Sequence, residues 1–276
     1  MKRIYTMGGD PAARQLTVAD IIAIKGQRTL VQATATTEEE ARAAVEAGLD
    51  MLSVSVGAEL RMMRAAAPNM FLNVALPITR FASQEDLLRG AYEAMEDGAD
   101  AVYFCGPVRW IEYLSAAAIP VMGHAGLVPR KSIWLGGLRA FGKTPAEAQQ
   151  LWQDIRDLEN AGAYAVEIEV VPAELTAEIT KATSLSVSSI GSGPHADIVF
   201  QFTEDTLGTT TNAPRHVKAY EDFATRLADL QKARVSALKR FADDARSGAY
   251  PGPEVSVATS AEALDALRTA IQRGKQ

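Results

Sequence analysis

The sequence predicts an alternating α/β fold in which parallel strands are joined by helices. Three observations carry this: a degenerate repeat of helix end, glycine and strand; helix caps that fall between the strands; and strands that are apolar on both faces. The repeat runs Ala44-Val45-Glu46-Ala47-Gly48-Leu49-Asp50 into Met51-Leu52-Ser53-Val54, and Ala94-Met95-Glu96-Asp97-Gly98-Ala99-Asp100 into Ala101-Val102-Tyr103-Phe104. Its third copy is Leu158-Glu159-Asn160-Ala161-Gly162-Ala163-Tyr164 into Ala165-Val166-Glu167-Ile168. Glycine suits the residue after a helix because it takes the left-handed conformation without a Cβ clash. The glycines lie 50 and 64 residues apart (48 to 98 to 162), room for two strand–helix units between copies. Such alternation implies parallel strands with right-handed crossovers.

Taken in order, residues 1–15 read as an N-terminal extension. Strands are expected at 29–35, 51–56, 71–76, 101–105, 121–124, 165–170, 186–190 and 198–203, the last with the weakest pattern. All are apolar on both faces, as strands covered by helices must be. Helix starts agree. Thr37 with Glu40, and Thr144 with Glu147 behind Pro145, are capping boxes, and Ser83 with Asp86 is a weaker version. After 203 come a helix over 220–247, a turn at Tyr250-Pro251-Gly252-Pro253, and a last helix capped by Thr259 with Glu262. Leu264, Leu267 and Ile271 form one face of that helix, an apolar stripe that needs something to pack on. The pattern alone does not choose between a closed barrel and a doubly wound sheet.

Composition excludes several functions. The 276 residues are 47% hydrophobic and 22% charged, with a net charge of -6 and no basic cluster, so no nucleic-acid footprint is present. Cys105 is the single cysteine, which suits a reducing compartment. No apolar run reaches the roughly 18 residues that span a bilayer, and 1–15 lacks the apolar core of a signal peptide. A cytoplasmic protein is expected, with no nucleic-acid or membrane partner.

Four segments carry a family resemblance: Val121-Met122-Gly123-His124-Ala125-Gly126-Leu127-Val128-Pro129, Val166-Glu167-Ile168-Glu169-Val170-Val171-Pro172-Ala173-Glu174-Leu175, Ile190-Gly191-Ser192-Gly193, and Ser247-Gly248-Ala249-Tyr250-Pro251-Gly252-Pro253-Glu254. In this order and spacing, over residues 16–256, they resemble ketopantoate hydroxymethyltransferase, of the phosphoenolpyruvate mutase/isocitrate lyase superfamily. The resemblance implies a (β/α)8 TIM barrel with extra C-terminal helices, divided as 16–250 for the barrel and 251–276 for the C-terminal turn and helix. It implies transfer of a hydroxymethyl group from methylenetetrahydrofolate to 3-methyl-2-oxobutanoate, magnesium as the cofactor that stabilises the enolate, and a homo-oligomer.

The resemblance also assigns residues. Glu169 matches the family's proposed general base and His124 its active-site histidine. The family's metal ligands and lysine align with Val56, Ala75, Tyr103 and Cys105, with Gly57 where the family has serine. Val56 and Ala75 have no side-chain oxygen for a hard cation, so no metal ligand is assigned. The expected catalytic residues are Glu169 and His124; the expected substrate-binding residues are Tyr103, Cys105, Ser192 and Gly57. Tyr103 could donate to an oxyanion or fill the lysine's volume, and Cys105 could be a nucleophile or a small buried hydrophobe. Gly191-Ser192-Gly193 could cradle an anion or form a tight turn. Arg80, Arg109 and Arg130 follow strands and could hold a carboxylate. His195 with Asp197 is too small a group for a metal, and His216 lies outside any motif.

Three readings follow. One is an enzyme making or breaking a carbon–carbon bond on a small α-keto or carboxylic acid with the metal shell lost. Another is a lyase or retro-aldolase of the superfamily type. The third is an inactive homologue that binds a ligand or supports an assembly.

Overall fold

Eight parallel strands close into a barrel in the computed structural model, which describes residues 1–274. An antiparallel hairpin comes first, β1 (Lys2–Tyr5) and β2 (Pro11–Arg14). The barrel strands are β3 (Leu30–Thr34), β4 (Met51–Ser55), β5 (Phe71–Ala75), β6 (Ala101–Tyr103), β7 (Val121–Gly126), β8 (Ala165–Glu169), β9 (Ser186–Ile190) and β10 (Ile198–Gln201). Pairing of β10 with β3 closes the ring, in register from Ile198–Leu30 to Gln201–Ala33. Every strand expected from the sequence is present, the one near 198 included, and the ring decides for the barrel over the open sheet. The hairpin was read only as an extension: two four-residue strands with no long alternation give little periodic signal.

The helices are α1 (Val18–Ile24), α2 (Glu38–Glu46), α3 (Leu60–Ala66), α4 (Gln84–Glu96), α5 (Val108–Ala116), α6 (Ser132–Leu135), α7 (Pro145–Asn160), α8 (Ala173–Ala182), α9 (Thr203–Thr206), α10 (Phe223–Ser247) and α11 (Ala261–Arg273). The Thr37–Glu40 capping box forms in full, and Thr17 with Asp20 makes a second. Thr144 caps α7, while the Glu147 carboxylate accepts from Gly142 and Lys143 N–H groups instead of closing the box. Ser260, not Thr259, caps α11, accepting from the Ala263 N–H at 3.1 Å. Gly48, Gly98 and Gly162 all have positive φ, which the repeat requires.

Alternation along the strands sorts the interior. Leu52, Val54, Leu72, Val74, Val102, Val166, Ile168 and Val187 pack outward under the helices. Leu30, Met51, Phe71, Ala101, Met122, Ala165 and Ile198 form a second cluster with Leu16 and Ile21, which plugs the barrel's N-terminal end. Two residues further along, where barrels usually carry bulky branched side chains, this one carries buried Gln32, Asn73, Glu167 and Ser188. That polar layer is the floor under the strands' C-terminal ends.

The hairpin is held to the barrel by charge. Arg14 Nε and Arg64 Nη2 each lie 2.6 Å from a different oxygen of Asp100, which also accepts from the Leu72 N–H at 2.9 Å. Burial lowers the Arg64 pKa to about 10 against the pull of Asp100. Asp197 plays a similar role at the same end, binding Lys25 Nζ and the N–H groups of Gly26 and Val187.

Compactness divides the chain into Met1–Glu221 and a second unit that begins at Asp222, whereas the sequence reading set its boundary at 250/251. Within the second unit, α10 and α11 contain no buried residue. Among the described residues no helix is long and apolar enough to cross a membrane.

Candidate active site

A cavity of about 450 Å³ opens at the C-terminal ends of the barrel strands, where barrel enzymes hold their chemistry. Hydroxyl residues of β3 and β4 (Thr34, Ser53, Ser55) line one part of the wall, and Ile190, Phe200 and Phe202 line the part next to it, since β10 pairs with β3. Across the ring, on the β6 to β8 side, stand Tyr103, Cys105, His124, Glu167 and Glu169, with Arg130 at the rim. Two smaller cavities share these residues: one of about 290 Å³ includes Glu169 and His216, and one of about 360 Å³ includes Cys105, His124 and Arg130.

Strand pairing places the reactive groups. His124 on β7 pairs in register with Glu167 on β8, and Gly126 with Glu169. Glu167 and Glu169 are two residues apart, so both carboxylates enter the barrel from one strand. Gly126 is needed at the contact: its φ is 88°, and a Cβ there would lie 2.5 Å from the Glu169 carbonyl oxygen. That carbonyl accepts from the Leu127 N–H at 2.8 Å, tying the ends of β7 and β8 together.

His124 is the centre of the group. Its Nδ1 lies 2.5 Å from Tyr103 Oη and 3.3 Å from Glu167 Oε1. Its Nε2 lies 2.8 Å from the Leu127 carbonyl oxygen and 3.4 Å from Glu169 Oε2. Burial alone would favour the neutral ring, but the Glu167 carboxylate outweighs it. Cys105 and the Leu127 carbonyl add to that pull, and the His124 pKa rises to about 9. A pKa raised this far favours the protonated ring at neutral pH, in which Nε2–H donates to Leu127 and Nδ1–H is directed at Tyr103 and Glu167. Burial, opposed by His124 and reinforced by Glu167, lifts Glu169 to about 7. Burial, with Glu167, Cys105 and Glu169 adding to it, holds Tyr103 well above the usual phenol range, so it stays a neutral donor.

Four of the six expected site residues meet here: Glu169, His124, Tyr103 and Cys105. Two do not. Ser192 is fully buried behind the cavity; its hydroxyl donates to the Ile168 carbonyl and accepts from the Val171 N–H. With its side chain so engaged, Gly191-Ser192-Gly193 is a turn that braces β8 and β9. Gly57 is exposed at the start of the loop after β4 and is not part of the cavity wall. Of the arginines, Arg130 reaches the cavity and donates to the Cys105 carbonyl at 3.0 Å, while Arg80 donates to the Val56 carbonyl. His195 and Asp197 sit beside Gly26 and Arg28, at the N-terminal ends of the strands. Glu167 was missed. The signal was present in Val166-Glu167-Ile168-Glu169, where strand alternation puts both acids on one face.

Val56 and Ala75, where the resemblance expects carboxylate ligands, offer no side-chain oxygen to a hard divalent cation. Ala75 faces the cavity without an oxygen, and Val56 packs against the outer apolar cluster. The ligand atoms of His124, Glu167 and Glu169 do lie within 4.8 Å of one another. However, Glu167 faces Nδ1 and Glu169 faces Nε2, nitrogens whose lone pairs diverge, and both nitrogens already hold hydrogen-bond partners. An ion at either nitrogen would displace the hydrogen bond which that nitrogen makes, to Tyr103 or to the Leu127 carbonyl, and magnesium favours an all-oxygen shell.

Comparison with known proteins identifies the family. The family described as ketopantoate hydroxymethyltransferase matches residues 56–253. The chain belongs to that family. It is 36% identical over 267 residues to 3-methyl-2-oxobutanoate hydroxymethyltransferase of Thermus thermophilus, covering 87% of this chain and 98% of that one. It is 31% identical to the protein of the same name from Staphylothermus marinus, covering 86% and 94%. Among solved structures, phosphonopyruvate hydrolase in complex with oxalate and magnesium superposes with a TM-score of 0.50 at 15% identity, covering 94% of this chain and 98% of that one. A 2,3-dimethylmalate lyase of the PEP mutase/isocitrate lyase superfamily gives 0.50 at 14%, covering 94% and 100%. These structures share the barrel.

Proposed function

We propose that the protein makes or breaks a carbon–carbon bond on a small α-keto or carboxylic acid, and that it does so without the divalent cation its family implies. The observation that carries this reading is the placement of Glu169. A carboxyl group with a pKa near 7 lies 3.4 Å from a buried imidazolium, at the wall of a cavity large enough for a small acid. Such a group is poised to take a proton from the carbon beside a carbonyl, because its pKa is close to the working pH. His124, with Tyr103, is the polariser or proton donor for the oxygen on which charge develops. Arg130 at the rim is the candidate partner for the substrate carboxylate.

The parent reaction would take the hydroxymethyl group from methylenetetrahydrofolate. A lyase reaction that cleaves the equivalent bond uses the same base and polariser in reverse. Retention of base, imidazolium and phenol in one cavity favours an enzyme over an inactive assembly subunit. The functional reading also places the protein in the cytoplasm as a homo-oligomer. The support for the homo-oligomer is the exposure of the apolar side chains Leu238 and Phe241 on α10 and Leu267 and Ile271 on α11.

The test is deuterium exchange at C3 of 3-methyl-2-oxobutanoate in D2O, followed by NMR with chelator-treated protein. Hydroxymethyl transfer is then assayed with and without magnesium. Exchange without metal, lost in Glu169→Gln, is expected. Exchange or transfer that appears only when magnesium is supplied would overturn the metal-free reading.

A further inference from the structure

We infer that Glu167 is a positioning residue that acts through His124 to make Tyr103 the hydrogen-bond donor to the oxygen of the reacting carbonyl. The inference rests on the functional reading above and deepens it. Glu167 is 94% buried, on the polar floor of the barrel, and among the described residues its only charged neighbour within ion-pair distance is His124. Burying a carboxylate is costly unless it is paired, so a glutamate at this depth needs that cation.

The pairing fixes direction. Glu167 Oε1 and Tyr103 Oη both lie on the Nδ1 edge of the ring, at 3.3 and 2.5 Å, while Nε2–H is taken by the Leu127 carbonyl. With the ring protonated, Nδ1–H points at the phenol oxygen, which becomes an acceptor. The phenol's own proton is then the one left to point into the cavity that Tyr103 lines. A neutral ring with Nε2–H donated to Leu127 would reverse this: Nδ1 would accept from Tyr103, and no donor would face the substrate. Glu167 therefore decides whether the phenol faces inward or outward. The charged and titratable groups around the ring are Glu167 and Glu169 from β8, Tyr103 and Cys105 from the β6 side, and Arg130 from the loop after β7.

The chemistry is balanced. Glu169 removes the proton beside the carbonyl, the electron pair moves onto the carbonyl oxygen, and the Tyr103 hydroxyl donates a hydrogen bond to the enolate without giving up its proton. Cationic His124 behind the phenol supplies the positive charge that a divalent cation supplies elsewhere in the family. A preorganised donor of this kind is typically worth on the order of 100-fold or more in kcat.

The experiment has two arms. In the first, 15N spectra of imidazole-labelled protein are recorded at pH 7.5. The chain has three histidines, so His124 is assigned by the resonance lost in His124→Gln. Both ring nitrogens are expected in the protonated range in wild type, and Glu167→Gln is expected to lower the ring's titration midpoint by about two pH units. A neutral His124 in wild type would overturn the inference whether or not the Gln variant folds. In the second arm, Tyr103→Phe and Glu167→Gln are each expected to lower kcat about 100-fold with KM within about threefold, and the double variant to fall little further. Additive losses, or a Glu167→Gln enzyme with wild-type kcat, would overturn it. If no 2-oxo acid is turned over but the ring titrates as expected, the functional reading falls and the Glu167–His124 pairing is upheld.

Discussion

His124 stands between two carboxylates of one strand, 3.3 Å from Glu167 at Nδ1 and 3.4 Å from Glu169 at Nε2. The two acids are not equivalent. Glu167 is buried on the floor and holds the ring charged, whereas Glu169 lies at the strand end, open to the cavity, and is raised to about 7. One strand thus presents a structural anion and a candidate base.

That asymmetry sets the pH dependence of turnover. Glu169 must be deprotonated to act as a base and His124 protonated to act as a polariser. The profile of kcat/KM should rise through about pH 7 and fall through about pH 9. Glu169→Gln should lower activity by about 100-fold or more and leave the fold intact by circular dichroism.

Stability should run the other way. A carboxyl group whose folded pKa is raised contributes stability that is present below its unfolded value and lost as pH rises, here from about 4.5 to 7. Protonated His124 likewise contributes stability that is present below its unfolded value and lost as pH rises through about 9. The melting temperature should therefore fall between pH 5 and pH 9. Glu169→Gln, free of the first loss, should be about 1–2 kcal/mol more stable than wild type at pH 8, allowing for its partial exposure, as read by urea denaturation.

At the opposite end of the barrel, Asp100 neutralises both Arg14 and Arg64. Asp100→Ala would leave two buried guanidinium groups facing each other and remove the acceptor of the Leu72 N–H. A loss of about 3–5 kcal/mol is expected by urea denaturation. Chelators and substrate analogues should not restore it, because the site lies at the other end of the strands.

The apolar face of α11 predicts assembly. Light scattering on a sizing column should give a mass above that of the 29.6 kDa chain. Leu267→Glu combined with Ile271→Glu should reduce that mass. A monomeric wild type would remove the homo-oligomer from the reading.

Much of the barrel could be read along the chain because its signals are local. Gly48, Gly98 and Gly162 mark three helix ends by backbone conformation alone, and Thr37 with Glu40 closes a helix start within four residues. The hairpin at 2–14 and the Ser260 cap were missed, since four-residue strands and neighbouring hydroxyls give weak or competing local signals. Family motifs that span only a few residues each singled out Glu169 and His124, and both line the cavity. Ser192 and Gly57 were misplaced because a motif fixes a residue's position along the chain but not the direction of its side chain.

By itself, then, the sequence determined the alternation of strands and helices, the family, and the presence of a glutamate and a histidine at adjacent strand ends. Tertiary structure decided the rest. Closure of β10 on β3 made a barrel of what could have been an open sheet, because only the ring's curvature distinguishes the two. The β7–β8 register, with Gly126 allowing the close approach, set Glu167 against His124. That raised the ring's pKa, since a titration depends on what lies within a few ångströms in space and not on what is near along the chain.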